Sequence, residues 1–173
     1  LHLPYEYQLR PVNSEKLHDF VTEELRSVNI RGANVTIPHK VTVMSLLDEF
    51  DASAKAIGAV NTIVNDAGRL KGYNTDGTAA LRAVTEAYGS IDKANIVMLG
   101  AGGAARAVGY QLSRSSKQLT IFNRNAENAE KLASRLQQGT STKVSTVKLS
   151  QLERAIESAD ILINATPIGM APY

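Results

Sequence analysis

The chain has no cysteine, so disulfides and thiolate metal sites are excluded. It also has no run of lysine and arginine: acids and bases are interspersed, and the formal charge is only +2. A nucleic-acid groove or a basic membrane-surface patch is therefore not expected. No long hydrophobic run is present; the longest apolar stretch, near Ile96, is far too short to cross a bilayer, and no signal peptide is visible. The histidines His2, His18 and His39 are scattered without ligand spacing, so no zinc or other metal site is expected. Repeats and low-complexity tracts are likewise missing. A reducing, cytoplasmic setting fits these absences.

What is present is ordinary globular chemistry. Hydrophobic residues make up 43% and charged residues 21% of 173 positions, enough for a real core. The first half mixes elements. Residues 5–12 alternate like a strand, and residues 14–29 carry Leu17, Phe20, Val21, Leu25 and Val28 on one helical face. A strand over 33–37, a helix over 38–47 opened by Pro38, and a short helix near 52–56 follow. Residues 60–64 read as a strand that can pair with 70–73 across the turn NDAGR, and NTDG leads into a helix ending at Tyr88. After Gly89 the texture changes to strict alternation. Strands at ANIVMLG, 118–122, 143–147 and 160–164 are separated by helices at 103–114, 127–137 and 150–158. Such alternation predicts right-handed crossovers and a parallel sheet. The expected fold class is α/β with two domains, an α/β domain over 1–88 and a Rossmann-like doubly wound domain over 89–173.

Three features carry chemistry. VMLGAGGAA sets Gly100, Gly102 and Ala105 at the G-x-G-x-x-G/A spacing between a strand and a helix, where backbone N–H groups can receive a pyrophosphate. A plain tight turn gives the same triplet, so the strand–turn–helix context decides. The next strand ends in FNRN, with no Asp or Glu to hold a ribose 2′-hydroxyl. Arg124 there suits a 2′-phosphate and so NADP, although an exposed arginine at a strand end has the same appearance. Finally, Lys40 sits two residues after Pro38, where a helix dipole disfavours a cation. Asn34 and Thr36 lie on one face of the strand before it, Asn61 is an amide in the apolar strand of GAVNTIV, and Asp76 stands at a helix entrance. Taken singly, Asp76 is also an N-cap, Asn61 a satisfied core amide and Lys40 a solvated side chain.

Taken together, NVTIPHK, GAVNT, GYNTDG, GAGGAARA, NRN and NATPIGM resemble the shikimate dehydrogenase family, in its order and over essentially the whole chain. The resemblance implies an oxidoreductase of the aromatic amino-acid (chorismate) pathway, reducing 3-dehydroshikimate to shikimate with NADPH. It makes 1–88 the substrate domain, Lys40 and Asp76 the catalytic pair, and Thr36, Asn61 and Asn34 further substrate ligands. The implied cofactor contacts are Gly100, Ala101, Gly102, Gly103, Ala104, Asn123, Arg124, Asn125, Thr166 and Met170. The ring ketone needs a proton as hydride arrives, and a lysine tuned by a helix terminus, burial and Asp76 would supply it. The expected partner is a small molecule, and a homodimer is compatible.

Departures are visible too. The family's S-x-S-P-x-x-H-N motif has no match, and the glutamine-bearing segment that follows NATPIGM in the family is not found, so the chain is expected to be incomplete at both ends. Asn125 stands where the family has Thr, Asn128 or Lys131 occupies the region of a second cation, and Ala79 replaces a common glycine. The alternatives are a quinate/shikimate dehydrogenase accepting NAD as well as NADP, and a non-catalytic nucleotide-binding relative. Glutamyl-tRNA reductase shares some motifs but needs a cysteine nucleophile that this chain lacks.

Overall fold

Five-residue strands that are apolar through their middle need cover on both faces, and two of them form the centre of a parallel sheet. They are β5 (Asn95–Leu99) and β6 (Gln118–Phe122), with Ile96, Val97, Met98, Leu119 and Ile121 all buried. In the computed structural model, which describes residues 5–170, this sheet has the order β7-β6-β5-β8, where β7 is Lys143–Thr146 and β8 is Ile161–Asn164. All three pairings are parallel. The chain winds outward from β5 through β6 to β7, then crosses back to β8, so the topological switch lies between β5 and β8. Ligands of open α/β sheets sit outside the carboxyl ends of the strands at such a point.

Helices α4 (Gly103–Leu112) and α5 (Ala126–Gln137) cover this sheet through Ala105, Val108, Leu112, Ala129, Leu132 and Leu136. Helix α6 (Leu152–Glu157), entered through a 3-10 turn at Leu149–Gln151, precedes β8.

A second, mixed sheet has the order β1-β3-β4-β2. Its strands are β1 (Gly32–Asn34), β2 (Glu49–Phe50), β3 (Thr62–Asp66) and β4 (Arg69–Tyr73). Strands β3 and β4 form the expected hairpin, antiparallel and in register from Thr62↔Tyr73 to Asp66↔Arg69. Leu17, Val21, Leu25, Val43, Val60, Ile63 and Leu70 make the core on this sheet. Helix α2 (Ala52–Ile57) is capped by Asp51, whose carboxylate accepts from Ser53 N and Ala54 N. Helix α3 (Asp76–Tyr88) leaves this sheet and packs Ala80, Leu81 and Val84 against the core of the other. No helix among the described residues is long and apolar enough to cross a membrane.

Three local expectations fail for tertiary reasons. Residues 5–12 form no strand: the free edge of β1 has no neighbour among the described residues, and Tyr5, Tyr7 and Leu9 are exposed. The first helix is a composite of a 3-10 turn (Ser14–Lys16), α1 (Leu17–Asp19) and a π turn (Phe20–Glu24), and it stops before residue 29, leaving Val28 exposed. The buried amide of Asn65 explains the stop, because its Nδ2 takes the carbonyls of Leu25, Ser27 and Ile30 at 2.8, 2.9 and 2.8 Å. Residues 38–47 are not an α-helix but a turn followed by a 3-10 stretch, Thr42–Leu46. The Lys40 carbonyl, which a helix would use for residue 44, instead accepts from Val60 N at 2.7 Å. Lys40 therefore lies in a turn and not in the first turn of an α-helix, so no α-helix dipole disfavours its charge there.

Candidate active site

Asp76 is the first residue of α3, a position where the helix dipole favours a carboxylate. Its Oδ2 accepts from Lys40 Nζ at 2.6 Å and its Oδ1 from Asn61 Nδ2 at 2.7 Å. The pair is partly sheltered, with 18% of the Lys40 side chain and 26% of the Asp76 side chain exposed. The Asp76 N–H is held as well, by Asn74 Oδ1 at 3.0 Å.

The buried Asn61 lies just before β3 rather than within it. Its Nδ2 also donates to Thr75 Oγ1 at 2.9 Å, and its Oδ1 accepts from Thr75 N at 3.1 Å and Thr62 Oγ1 at 2.9 Å. The amide is thus fully engaged by protein groups, as a buried amide requires. Thr36 and Asn34 are exposed beside this cluster in sequence; Asn34 Nδ2 lies 3.5 Å from Thr62 Oγ1, at the limit of a hydrogen bond.

The glycine loop meets the ion pair directly. Gly100 follows β5 at φ +111, and a Cβ there would meet Ala165 O at 2.9 Å and Thr166 Cγ2 at 3.2 Å. Gly102 caps α4, and a Cβ on it would enter open space. Gly103 opens α4, and a Cβ on it would lie 2.7 Å from the Lys40 Cβ, so the lysine stem rests on the loop. Ala101 and Ala104 are half-buried beside it, and Ala105 is fully buried. A Cβ on Gly77 would come within 2.4 Å of Ala107 O, which is how closely α3 crosses α4 and how Asp76 comes to the loop. With an open glycine at the cap and no acid in the first turn of α4, the loop fits a pyrophosphate.

At the end of β6, Asn125 caps α5 by accepting from Asn128 N at 3.1 Å, and Asn123 Nδ2 donates to Asn125 O at 2.9 Å. Arg124 is exposed and in no ion pair among the described residues. Lys131 is engaged with Glu127 at 2.6 Å, and it holds the Glu127 carboxyl below its ordinary range. Thr166 belongs to a turn built on Asn164, whose Oδ1 accepts from Thr166 Oγ1 at 2.6 Å and whose Nδ2 donates to Ile168 O at 2.9 Å. Met170 is exposed beyond that turn. No cluster of three or more His, Asp or Glu residues suited to a metal occurs among the described residues.

Sequence reading missed Asn74, Thr75 and Thr62, which fix Asp76 and Asn61. GYNTDG held a signal for the first of these, since an Asn two residues before a helix start makes an Asx turn.

Two family models match the chain. Residues 1–63 match the shikimate dehydrogenase substrate binding domain, and residues 82–169 match shikimate / quinate 5-dehydrogenase. The chain belongs to the shikimate dehydrogenase family. Within that family, the shikimate dehydrogenase (NADP(+)) of Methanococcus maripaludis is 42% identical over 173 residues, covering 100% of this chain and 61% of its own length. The chain thus spans about three fifths of the curated relatives it matches. A crystal structure of shikimate dehydrogenase in complex with NADP+ superposes with a TM-score of 0.79 at 42% identity, covering 93% of this chain and 56% of the other. The shikimate 5-dehydrogenase of Listeria monocytogenes, solved with shikimate and NAD, gives 0.77 at 38% identity, covering 94% and 58%.

Proposed function

We propose that this chain carries the catalytic core of an NADPH-dependent reductase of 3-dehydroshikimate, working reversibly. One observation carries the reading: Lys40, whose ammonium lies 2.6 Å from Asp76, rests its stem on the glycine loop that would hold a dinucleotide. When bound, the nicotinamide supplies the hydride; the protein has to place the ketone and manage one proton. Lys40 donates that proton to the carbonyl oxygen, and Asp76 orients the ammonium. Asn61 holds Asp76 in place, and Thr36 and Asn34 meet ring hydroxyls. The backbone at Gly100, Ala101, Gly102, Gly103 and Ala104 receives the pyrophosphate. Asn123, Arg124 and Asn125 take the adenosine end, with Arg124 on the 2′-phosphate, and Thr166 and Met170 line the nicotinamide side.

A second reading, a quinate/shikimate dehydrogenase accepting NAD as well as NADP, is favoured by one feature: Lys131, the candidate second cation near Arg124 in sequence, is tied to Glu127. The test follows absorbance of the reduced nicotinamide in the full-length protein, with 3-dehydroshikimate and NADPH against quinate and NAD. Lys40→Met should lower kcat of the favoured reaction by about 10²–10⁴ and change KM much less. Near-normal turnover in that variant removes Lys40 from the mechanism.

A further inference from the structure

The segment 55–61, running from the end of α2 into β3, is gripped from both sides. From the parallel-sheet side, Arg135 on α5 donates through Nε to Ala56 O at 3.1 Å and through Nη2 to the carbonyls of Ala56 and Lys55 at 2.9 and 3.1 Å. Arg106 on α4 donates to Gly58 O at 3.2 Å. These are the C-terminal carbonyls of α2, where a helix attracts cations. Neither arginine forms an ion pair among the described residues. Burial, and then the charge of Arg135, lower the Arg106 pKa, so the carbonyls are what hold two like charges side by side.

Toward the ion pair, the same segment holds both partners. Ala59 O accepts from Asn74 Nδ2 at 2.9 Å, and Asn74 in turn fixes the Asp76 N–H. Val60 N donates to Lys40 O at 2.7 Å, and Asn61 holds Asp76 Oδ1. Gly58 shows how tightly the parts fit: it sits at φ +71, and a Cβ there would meet Arg135 Nη1 at 2.6 Å. Ile57 and Ala59 bury against Ala107 of α4 alongside.

We infer that Arg135 is a positioning residue of the reaction: by clamping the end of α2 it fixes the segment from which Lys40 and Asp76 hang, and so sets their place against the glycine loop. It acts through residues 55–61 and not on the reacting atoms. The inference rests on the reductase reading given above, and two readouts keep the failures of each apart.

The experiment compares full-length wild type, Arg135→Ala and Arg135→Lys by amide hydrogen exchange and by kinetics with unlabelled and 4-deuterated NADPH. In Arg135→Ala, exchange over 55–61 and 34–41 should rise about tenfold, while β5 and β6 stay protected. Turnover should fall about tenfold with KM values within about threefold, because misplaced groups lose rate before affinity. The deuterium isotope effect on kcat should increase as hydride transfer becomes the slower step. Arg135→Lys, which keeps the charge but not the fork, should recover part of both changes. If Arg135→Ala does not fold, Arg135→Lys and Arg106→Lys carry the same readouts at smaller amplitude. Unchanged exchange over 55–61 overturns the inference. So does a fall in activity that tracks the folded fraction with an unchanged isotope effect. A wild type with no turnover overturns the reductase reading instead, and the exchange data still judge the clamp.

Discussion

Gly102 and Gly103 are neighbours in one loop but face different things, and substitution should separate them. Gly102→Ala puts a methyl group into the open space where a pyrophosphate would approach, so KM for NADPH should rise with kcat nearly kept. Gly103→Ala pushes a methyl group at the Lys40 stem, so kcat should fall, by up to about 10²-fold for a shift near 1 Å. Steady-state kinetics on both variants of the full-length protein check this; equal effects on kcat would mean that Lys40 does not depend on the loop for its place. Arg124 offers a different contrast. Its guanidinium is in no ion pair among the described residues, and loss of a charge-assisted bond to a phosphate weakens binding by about 1.5–3 kcal/mol. Arg124→Ala should therefore raise the Kd for NADPH by roughly ten- to a hundredfold while leaving NADH almost unchanged. A calorimetric titration in which both cofactors weaken alike would assign Arg124 another role.

Among the elements, the ones read correctly from sequence are those whose signal is local. Strands β5 and β6 are short apolar runs with helices on either side, and the glycine loop follows β5 directly. The β3–β4 hairpin has its turn residues, Ala67 and Gly68, between its two strands. The errors arise where a distant group takes a backbone partner: Val60 draws the Lys40 carbonyl out of a helix, and Asn65 gathers the carbonyls that would have continued the first one. The pair Lys40–Asp76 was legible through its motifs. Arg135 was not, because nothing near it in sequence distinguishes a guanidinium on carbonyls from one in water. Asp48 is a further example of long-range anchoring. It takes two bonds from Arg26, at 2.7 and 3.2 Å, and one from Leu70 N at 2.7 Å. The Arg26 bond, then the Leu70 amide, hold its pKa below the ordinary 3.8. With the folded value depressed, the stabilisation is complete above the unfolded pKa and disappears as pH falls through the folded one. Asp48→Asn should cost about 1 kcal/mol at neutral pH, the side chain being partly exposed, and nothing once the wild-type carboxyl is protonated. Melting curves of the two proteins should converge on acidification; a constant gap would show that the carboxylate charge is irrelevant.

Across the whole molecule, α4 is the common support. It carries the glycine loop at its start and touches Lys40 there. Arg106 reaches Gly58, and Ala107 receives Gly77 of α3. Gly109, further along, leaves room for Leu136 and Met98. Two sheets sharing one such helix should not unfold independently. Calorimetry of the full-length protein should give one transition, and Gly77→Ala, whose Cβ would collide with backbone, should lower its midpoint by an amount equivalent to about 1–3 kcal/mol. Two resolved transitions, with only one displaced by the substitution, would contradict this linkage.

The glycine loop also bears on how such an enzyme can be re-engineered. A residue introduced at 100 meets the Ala165 carbonyl, and one at 103 meets Lys40, so, on the proposed reading, randomising this loop to alter cofactor use should disturb turnover at the same time. The loop after β6 is different: among the described residues, the side chains of Asn123 and Asn125 bond within the loop and to the start of α5. If 123–125 take the adenosine end as proposed, a library confined to 123–128 should trade one dinucleotide for the other while Lys40 and Asp76 keep their places.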